Sequence, residues 1–405
     1  MRVPVVLAVV LALASGASAQ GYDPALRQVA RRANQPYPVV ELVTMGVGSL
    51  IWERHGHIAM CIVYENPQED ACFNYGIADF RHPLAMTAGF FRGTHSFWVG
   101  KMDPTEMLAI YRYADRTIWA QALPLEAAQK TEVISKLESD IQEEHRYYAY
   151  DHFWDNCTTR VRDIIDHATG GALSSIPEPP GDETYRDLAR KGFLGMRVPL
   201  IITDIAMGRV TDQLPTYWEK MFLPEYLREA VQKKWNITPI AIYTRVGPPP
   251  DSDGPSGRFL FALVILVLTA PVWATKLWGR FQRTGLWVAR VPQILLGTEF
   301  WFLAIISPLP YVRWNESCLV LIPLDLALVF LPAEKKVLYA RVRVGMIVLV
   351  ACLLAVGVLR QPIWPELLWP LVPCATVGFW GLWKSGSETS KPSQGSDKSI
   401  KKSSR

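Results

Sequence analysis

One cysteine stands in a polar setting within FWDNCTTRVRDII, residues 153–165. Asp155 or Asn156 could cap a helix beginning at Cys157, because short polar side chains accept hydrogen bonds from the N–H groups of a first helical turn. Those N–H groups and the helix dipole favour a thiolate, so we expect a lowered pKa for Cys157. Asn156 and Arg160 could then support a bound oxyanion or phosphate. A first-turn cysteine is more often inert, so this motif alone assigns no nucleophile.

A nucleophilic cysteine needs a base, and RHGHIAMCIV, residues 54–63, offers two histidines. His55 and His57 flank Gly56 where a strand is predicted to begin, and a histidine at a strand end is held rigidly. The His-x-His spacing also occurs among zinc ligands. No convincing third and fourth ligands cluster nearby in the sequence, so we expect no metal and no cofactor.

The six cysteines fall into two groups. Cys61 and Cys72 lie on two predicted strands joined by the turn NPQED, so they could face each other and pair, or remain ordinary strand residues. If they pair, Cys157 is the thiol left over in this part of the chain. In either case Cys157 stands apart because its surroundings are polar. Three cysteines lie in or beside apolar runs, where a cysteine usually acts as a small apolar side chain. These are Cys318, Cys352 and Cys374.

The composition divides the chain. Residues 1–19 have a basic start, an apolar stretch and an A-x-A site, which is typical of a signal peptide. We therefore expect an exported domain over 20–246, in a compartment where disulfides form, and then a Pro/Gly/Ser/Asp linker over 247–257. The formal net charge of +4 is too small to indicate binding of nucleic acid.

Five apolar runs follow the linker, and each is near the length of a membrane-spanning helix. The loops after the first and third runs, with Arg290 and Arg343 counted among their basic residues, carry most of the positive charge and predict a cytoplasmic tail over 384–405. That tail is rich in Ser and Lys and is predicted to be disordered. The runs cover roughly 258–277, 292–312, 317–332, 344–359 and 364–383, the whole forming a membrane domain over 258–383.

The exported domain has the pattern of an α+β protein. Strands are predicted at PVVELVTMGV, HIAMCIVYE, DACFNYGIA, HSFWVGKM and TIWAQALPL, because β-branched and aromatic residues are bounded by turn residues. Helices are predicted after Asp103, over about 125–144, and from Cys157 to the pair Gly170-Gly171.

Three motifs in this order resemble one family. GHIAMCIV, FNYGIADF and YYAYDHFWDNCTTR make residues 38–235 similar to the Lnb-type lipoprotein N-acyltransferases, which join an exported Cys/His domain to a membrane domain. The resemblance implies a permuted papain/NlpC-like cysteine acyltransferase fold, similar to lecithin:retinol acyltransferase, followed by an all-α membrane bundle of about five transmembrane helices. It implies that Cys157 is the nucleophile and His57 the general base, with His55 off the pattern.

A third residue would orient the imidazole. It should lie on the strand that pairs with the strand of His57, and the turn near residues 66–69 places residues 74–79 opposite. Asn74, Tyr75 and Asp79 are therefore the candidates. Each could instead have only a structural role. Asn74 and Asp79 could lie in turns, and Tyr75 could pack in the core.

The resemblance further implies a reaction. A phospholipid donates an acyl chain through a cysteine thioester to the N-terminal amine of a diacylglyceryl lipoprotein, in the bacterial inner membrane with the catalytic domain on the periplasmic side. Two alternatives stay open: a membrane-anchored cysteine peptidase or amidase acting on peptidoglycan, and a non-enzymatic membrane receptor or assembly factor. The second predicts that Cys157→Ser has no effect on function.

Overall fold

The computed structural model describes residues 24–388, apart from 80, 82, 95, 180 and 252. The predicted signal peptide and residues 389–405 of the predicted tail lie outside the described residues. The chain divides into two compact units. The first unit runs up to Phe193 and resumes over Leu214–Ser252, whereas the second unit contains Leu194–Gln213 and the chain from Asp253 onward. The sequence analysis did not predict this excursion, in which Leu194–Gln213 joins the second unit between two parts of the first.

A seven-stranded antiparallel sheet forms the centre of the first unit. Its order is β6-β4-β3-β2-β1-β5-β7. The five predicted strands are all present, and the two edge strands β6 and β7 were missed because they are too short to show an alternating pattern. The strands are β1 (Val39–Met45), β2 (His57–Val63), β3 (Ala71–Ile77), β4 (Ser96–Met102), β5 (Ile118–Ala122), β6 (Tyr147–Ala149) and β7 (Ile240–Tyr243).

Helices cover both faces of this sheet. Apolar side chains of α4, α5 and α9 pack on one face and those of α1 and α3 on the other, so the central strands are buried on both sides. In chain order the helices of both units are α1 (Pro24–Ala33), α2 (Pro83–Phe91), α3 (Pro104–Tyr113), α4 (Ala127–Asp140), α5 (Cys157–Ala168), α6 (Tyr185–Gly192), α7 (Arg197–Ala206), α8 (Tyr217–Lys220), α9 (Pro224–Trp235), α10 (Gly257–Trp278), α11 (Gln282–Ile306), α12 (Pro310–Arg313), α13 (Ala327–Phe330), α14 (Ala333–Ala355) and α15 (Trp364–Glu388).

Cys61 and Cys72 form a disulfide. They are directly opposite each other in the register of β2 and β3. Of the two outcomes that the sequence left open, the structure has the paired one, and Cys157 is the free thiol of the first unit.

The second unit is helical, and three of its helices are long and apolar enough to cross a membrane. These are α10, α11 and α14. The second apolar run was predicted to begin about ten residues too late, because α11 already starts at Gln282. Of the predicted tail, residues 384–388 continue α15 as helix. Of the two remaining predicted spans, the one over 364–383 stays a prediction.

The prediction of a spanning helix over 317–332 is wrong. This segment forms two short 3₁₀ helices, Glu316–Leu319 and Pro323–Leu326, and then the four-residue helix α13. Pro323 cannot donate a backbone hydrogen bond and stands at the start of the second 3₁₀ helix, a position where no such donor is needed. Irregular backbone is tolerated at membrane depth where protein surrounds it, and here it lies against α11.

A buried carboxylate fixes this irregular segment. Asp325 accepts hydrogen bonds from Arg343 Nε at 2.7 Å, Gln293 Nε2 at 2.9 Å and Tyr339 Oη at 2.8 Å, and Arg290 Nη1 lies 3.4 Å away. The placement of Arg290 and Arg343 in loops is therefore a further error of the sequence analysis. Both lie within helices, fully or almost fully buried, because a buried acid needs such partners.

One ionisable side chain is buried in the sheet itself. Glu41 lies in the middle of β1 and is fully buried, and neither carboxylate oxygen has a hydrogen-bond partner in the described part of the chain. Burial, with a smaller effect from Asp70, raises the pKa of Glu41 well above its usual value. The folded state therefore favours the neutral carboxyl group.

We predict that Glu41→Gln stabilises the protein at pH 8 and has little effect below about pH 4. The raised pKa means that the contribution of Glu41 to the stability of the wild type is most favourable at low pH. It loses up to about 1.4 kcal/mol per pH unit as the pH rises from the unfolded-state pKa towards the folded-state pKa. Thermal unfolding of the detergent-solubilised chain, followed by tryptophan fluorescence across this pH range, measures the effect.

Glu65→Gln, at an exposed position, is the control and should change the melting temperature little at any pH. A Glu41→Gln variant less stable than the wild type at pH 8 would mean that the carboxyl group is ionised and paired in the folded protein.

Candidate active site

A cavity of about 550 Å³ in the first unit is lined by both Cys157 and His57. It lies where the start of β2, the end of β3, the start of α5 and the second half of α3 meet. Most of its wall is apolar. The apolar side chains of this wall include Ile51, Trp52, Ile77, Met86, Phe97, Met102, Met107, Ile110, Phe193 and Phe222.

Asn156 positions Cys157 at the start of α5. Its side-chain Oδ1 accepts hydrogen bonds from the backbone N–H groups of Thr158 at 2.8 Å and Thr159 at 2.9 Å. Its own N–H donates to Thr159 Oγ1 at 2.8 Å, which completes a reciprocal cap. Of the two predicted caps, the structure therefore has Asn156. Cys157 is the first helical residue, so its own N–H has no acceptor within the helix.

The other half of the Asn156 amide fixes the helix start to its surroundings. Nδ2 donates to the carbonyl oxygen of His152 at 2.7 Å and to that of Phe222 at 3.0 Å. The apolar stripe of α5 then packs on the sheet through Val161 and Ile165, which are fully buried. Sequence pattern and cap together thus place the sulfur against the ends of β2 and β3.

Gly76 allows this close approach. It has a φ of +82°, and a β-carbon added there would lie 3.4 Å from the β-carbon of Cys157 and 3.4 Å from the Tyr150 ring. The register of β3 with β4 also shifts between Asn74 and Ile77. The end of β3 therefore presents bare backbone to the cysteine.

The Cys157 thiol is protonated at rest. Burial raises its pKa above the ordinary value. The Thr158 hydroxyl, nearby backbone N–H groups and the charge of Arg116 lower it, but they do not outweigh burial. The expected lowering by the helix start is therefore wrong, because only 8 % of the residue is exposed and a buried thiolate loses its hydration.

His57 lies at the first position of β2, after Gly56 with its φ of +79°. Its Nε2 lies 3.3 Å from Asn74 Oδ1. An amide oxygen only accepts, so Nε2 carries the proton and Nδ1 carries the free lone pair. On the other side, the imidazole stacks on Tyr111 with the ring centroids 5.8 Å apart.

The imidazole of His57 is neutral across the physiological range. Burial, reinforced by the positive charge of Arg116, lowers its pKa to about 3, and the Asn74 hydrogen bond opposes this only in part. A neutral thiol and a neutral imidazole thus line the same cavity.

The structure separates the three candidates for the orienting residue. Asn74 pairs with Ala59 in the sheet register and contacts His57. Tyr75 is buried in the core and donates from its hydroxyl to Asp140 Oδ2 at 2.8 Å. Asp79 follows the strand, pairs with Arg81 and is absent from the cavity wall described above. Asn74 is the one that reaches the imidazole.

His55 and Arg160 have other contacts. His55 also lines the cavity, but its Nε2 donates to the carbonyl oxygen of Ala189 at 2.9 Å. Arg160 forms a double hydrogen bond with Asp155, at 2.6 and 2.8 Å, and is not part of the cavity wall. The structure therefore gives no support to an oxyanion or phosphate role for Arg160. The side-chain amide of Asn156 gives no support to one either, because its oxygen caps α5 and its nitrogen donates to two carbonyl oxygens.

Arg116 is the cavity residue that the sequence analysis missed. It follows α3, is 3 % exposed and lines the cavity with Cys157 and His57. Its Cζ lies 5.0 Å from the centre of the Tyr111 ring, on which His57 stacks. A single arginine before a strand forms no recognisable sequence motif. The sequence alone therefore could not predict that Arg116 lies in the wall of this cavity.

A comparison with protein-family models matches residues 26–191 to the Lnb N-terminal periplasmic domain. This stretch contains Cys157, His57, Asn74 and Arg116. The resemblance drawn from the three motifs is thereby confirmed. No curated protein and no solved structure matches the chain.

We predict that alkylation of Cys157 by iodoacetamide keeps accelerating through pH 9 with no plateau near pH 7. The raised pKa of the thiol keeps the thiolate scarce at neutral pH, and the low pKa of His57 prevents a stable thiolate–imidazolium pair. Peptide mass spectrometry of timed reactions gives the rate at each pH. The same peptide in the denatured chain, which titrates near pH 8.5, is the reference, and a folded-state plateau below pH 7 would contradict the prediction.

We also predict that Gly76→Ala slows this alkylation several-fold, whereas Gly170→Ala does not. Both positions have positive φ, so each substitution should cost about 1 kcal/mol of stability. Only at Gly76 does the new β-carbon meet Cys157, since nothing lies within 4 Å of one at Gly170. Melting temperatures and alkylation rates at pH 9 are compared for the two variants. Equal rates would show that Gly76 has no role in access to the thiol.

Proposed function

We propose, on the premise that residues 26–191 belong to the Lnb N-terminal periplasmic domain family, that this chain is a membrane-bound acyltransferase. It moves a fatty acyl chain from a phospholipid, through a thioester on Cys157, to the N-terminal amine of a diacylglyceryl lipoprotein. The observation that carries the proposal is one largely apolar cavity that contains Cys157 and His57. The same chain carries three helices long and apolar enough to cross a membrane.

The order of the elements supports a permuted papain/NlpC-like fold. The histidine strand β2 precedes the cysteine helix α5 in the chain, and α5 packs on the antiparallel sheet that contains β2. Cys157 at a helix start, His57 on a strand and Asn74 on the next strand correspond to a nucleophile, a base and an orienting amide.

The first step forms the thioester. Nδ1 of His57 takes the proton from Cys157 Sγ as the sulfur attacks the ester carbonyl carbon of the phospholipid. The backbone N–H of Cys157, free of an intrahelical acceptor, donates to the carbonyl oxygen as it gains negative charge. The carbon–oxygen bond then breaks, and the leaving alkoxide takes the proton from the imidazolium and departs as a lysophospholipid.

The second step transfers the acyl chain. The free amine of the lipoprotein attacks the thioester carbonyl carbon, the carbon–sulfur bond breaks, and an amide forms. His57 relays the amine proton to the departing sulfur, which restores the thiol. An amine attacks a thioester more readily than an oxygen ester, which is the chemical reason to pass through Cys157.

The rim of the cavity suits a donor held in a bilayer. Ile51, Trp52 and Ile110 line the cavity and are each about half exposed. Apolar side chains at such a rim can enter the lipid interface. We therefore place the enzyme in the bacterial inner membrane as a multi-pass protein, with this domain on the periplasmic side.

The same cavity argues against the two alternatives. A peptidase or amidase acting on peptidoglycan would use the same Cys157 and His57, but its substrate is polar and would require a polar groove. A receptor or assembly factor would have no use for an imidazole oriented by Asn74 in the same cavity as a buried thiol.

Intact mass spectrometry of the detergent-solubilised chain incubated with phospholipid tests the proposal. We predict a mass increase of one acyl group, located on Cys157 and lost on addition of a diacylglyceryl lipopeptide, which becomes N-acylated. His57→Ala should slow formation of the adduct by about 10²- to 10⁴-fold, as expected for loss of a general base.

Two matched substitutions serve as controls. His167→Ala removes an exposed histidine of α5 that is not part of the cavity wall, and Cys318→Ser removes another buried thiol. Both should leave the adduct largely intact, whereas Cys157→Ser abolishes it. Absence of an adduct on the wild type, under conditions where lipoprotein N-acylation proceeds, would overturn the proposal.

A further inference from the structure

Arg116 is a buried cation without a counter-ion. Its Nε donates to the carbonyl oxygen of Gly46 at 2.8 Å, which anchors the guanidinium. Nη2 is buried and has no hydrogen-bond partner among residues 24–388 as described. No carboxylate in that part of the chain forms an ion pair with Arg116.

This arrangement is costly unless a ligand completes it. A buried donor left unsatisfied costs about 1–3 kcal/mol, and more when it is charged. Glu53 lines the same cavity, but it is not within ion-pair distance of Arg116. Its charge therefore acts on the guanidinium only through longer-range electrostatics. The other neighbour is the face of Tyr111, which stabilises a cation but offers no anionic oxygen.

We propose that Arg116 binds the phosphate of the acyl-donor phospholipid. The proposal rests on the acyltransferase function above and names the recognition element of the same site. A guanidinium offers planar paired donors that match phosphate oxygens. In a glycerophospholipid the phosphate and the acyl ester are separated only by the glycerol carbons, so one cavity can hold the ester at Cys157 and the phosphate at Arg116.

Arg116, unlike Arg160, has the features that phosphate binding in the cavity requires. Arg160 already has a double hydrogen bond with Asp155 and lies outside the cavity wall. Arg116 has a free donor and shares the wall with the thiol. Fixed by its bond to Gly46, it would select donors that carry a phosphate over neutral diacylglycerols.

Binding to the full chain with Cys157→Ser, in which no transfer occurs, provides the test. The probes are dihexanoylphosphatidylglycerol and the neutral dihexanoylglycerol, with affinities measured by calorimetry in detergent. We expect the phospholipid to bind about 10- to 100-fold more tightly, as for a charge-assisted hydrogen-bonded pair. Arg116→Gln should remove this preference, Arg116→Lys should retain part of it, and Arg160→Gln should leave it unchanged.

Inorganic phosphate distinguishes the source of the anion. Displacement of the phospholipid by phosphate alone, lost in Arg116→Gln, would show that the site recognises the free ion as well as the lipid headgroup. Equal affinity for the two lipids in the Cys157→Ser protein overturns the proposal whether or not Arg116→Gln folds. So does a preference that Arg116→Gln retains.

The outcomes separate this proposal from the acyltransferase proposal. A preference that depends on Arg116 without any thioester on the wild type would leave the phosphate site standing and remove the function. A thioester that forms equally fast from phospholipid and diacylglycerol would leave the function and remove the phosphate site.

Discussion

The side-chain amide of Asn156 is the contact on which the geometry of the cavity depends. Its oxygen binds two N–H groups of α5, and its nitrogen binds two carbonyl oxygens, one from the preceding loop and one from Phe222. An aspartate could cap the helix equally well but could not donate to the two carbonyls. These four hydrogen bonds fix the start of α5 and therefore the position of Cys157 over Gly76.

The cavity is electrostatically unusual because its reacting groups are neutral while Arg116, buried in its wall, forms no ion pair within the described part of the chain. Burial holds the thiol of Cys157 and the imidazole of His57 in their uncharged forms. Arg116 lowers the pKa of both, and this effect weakens when an anion neutralises it. A charged substrate group beside Arg116 would therefore change the acid–base balance of the pair.

Local patterns in the sequence were sufficient for the five long strands, narrowed the cap of α5 to Asp155 or Asn156, and placed the partner of His57 on the next strand. Those features depend on near neighbours or on strand register. The pKa of Cys157, the presence of Arg116 and the buried partners of Asp325 depend on packing between distant segments, which hydrophobic periodicity does not report. The turn length narrowed the residue that orients His57 to three candidates. Only the hydrogen bond between His57 and Asn74 separated Asn74 from Tyr75 and Asp79.

The excursion of Leu194–Gln213 into the second unit has a consequence for how the protein is made. Synthesis delivers β1 to β6 and α5 first, then this excursion, and only afterwards α9 and β7. Until residues up to Tyr243 have been made, β5 is an open sheet edge, and the apolar face later covered by α9 is bare. Open edges of this kind favour association between chains, so the sheet is most prone to association in the interval between the synthesis of residues 193 and 243.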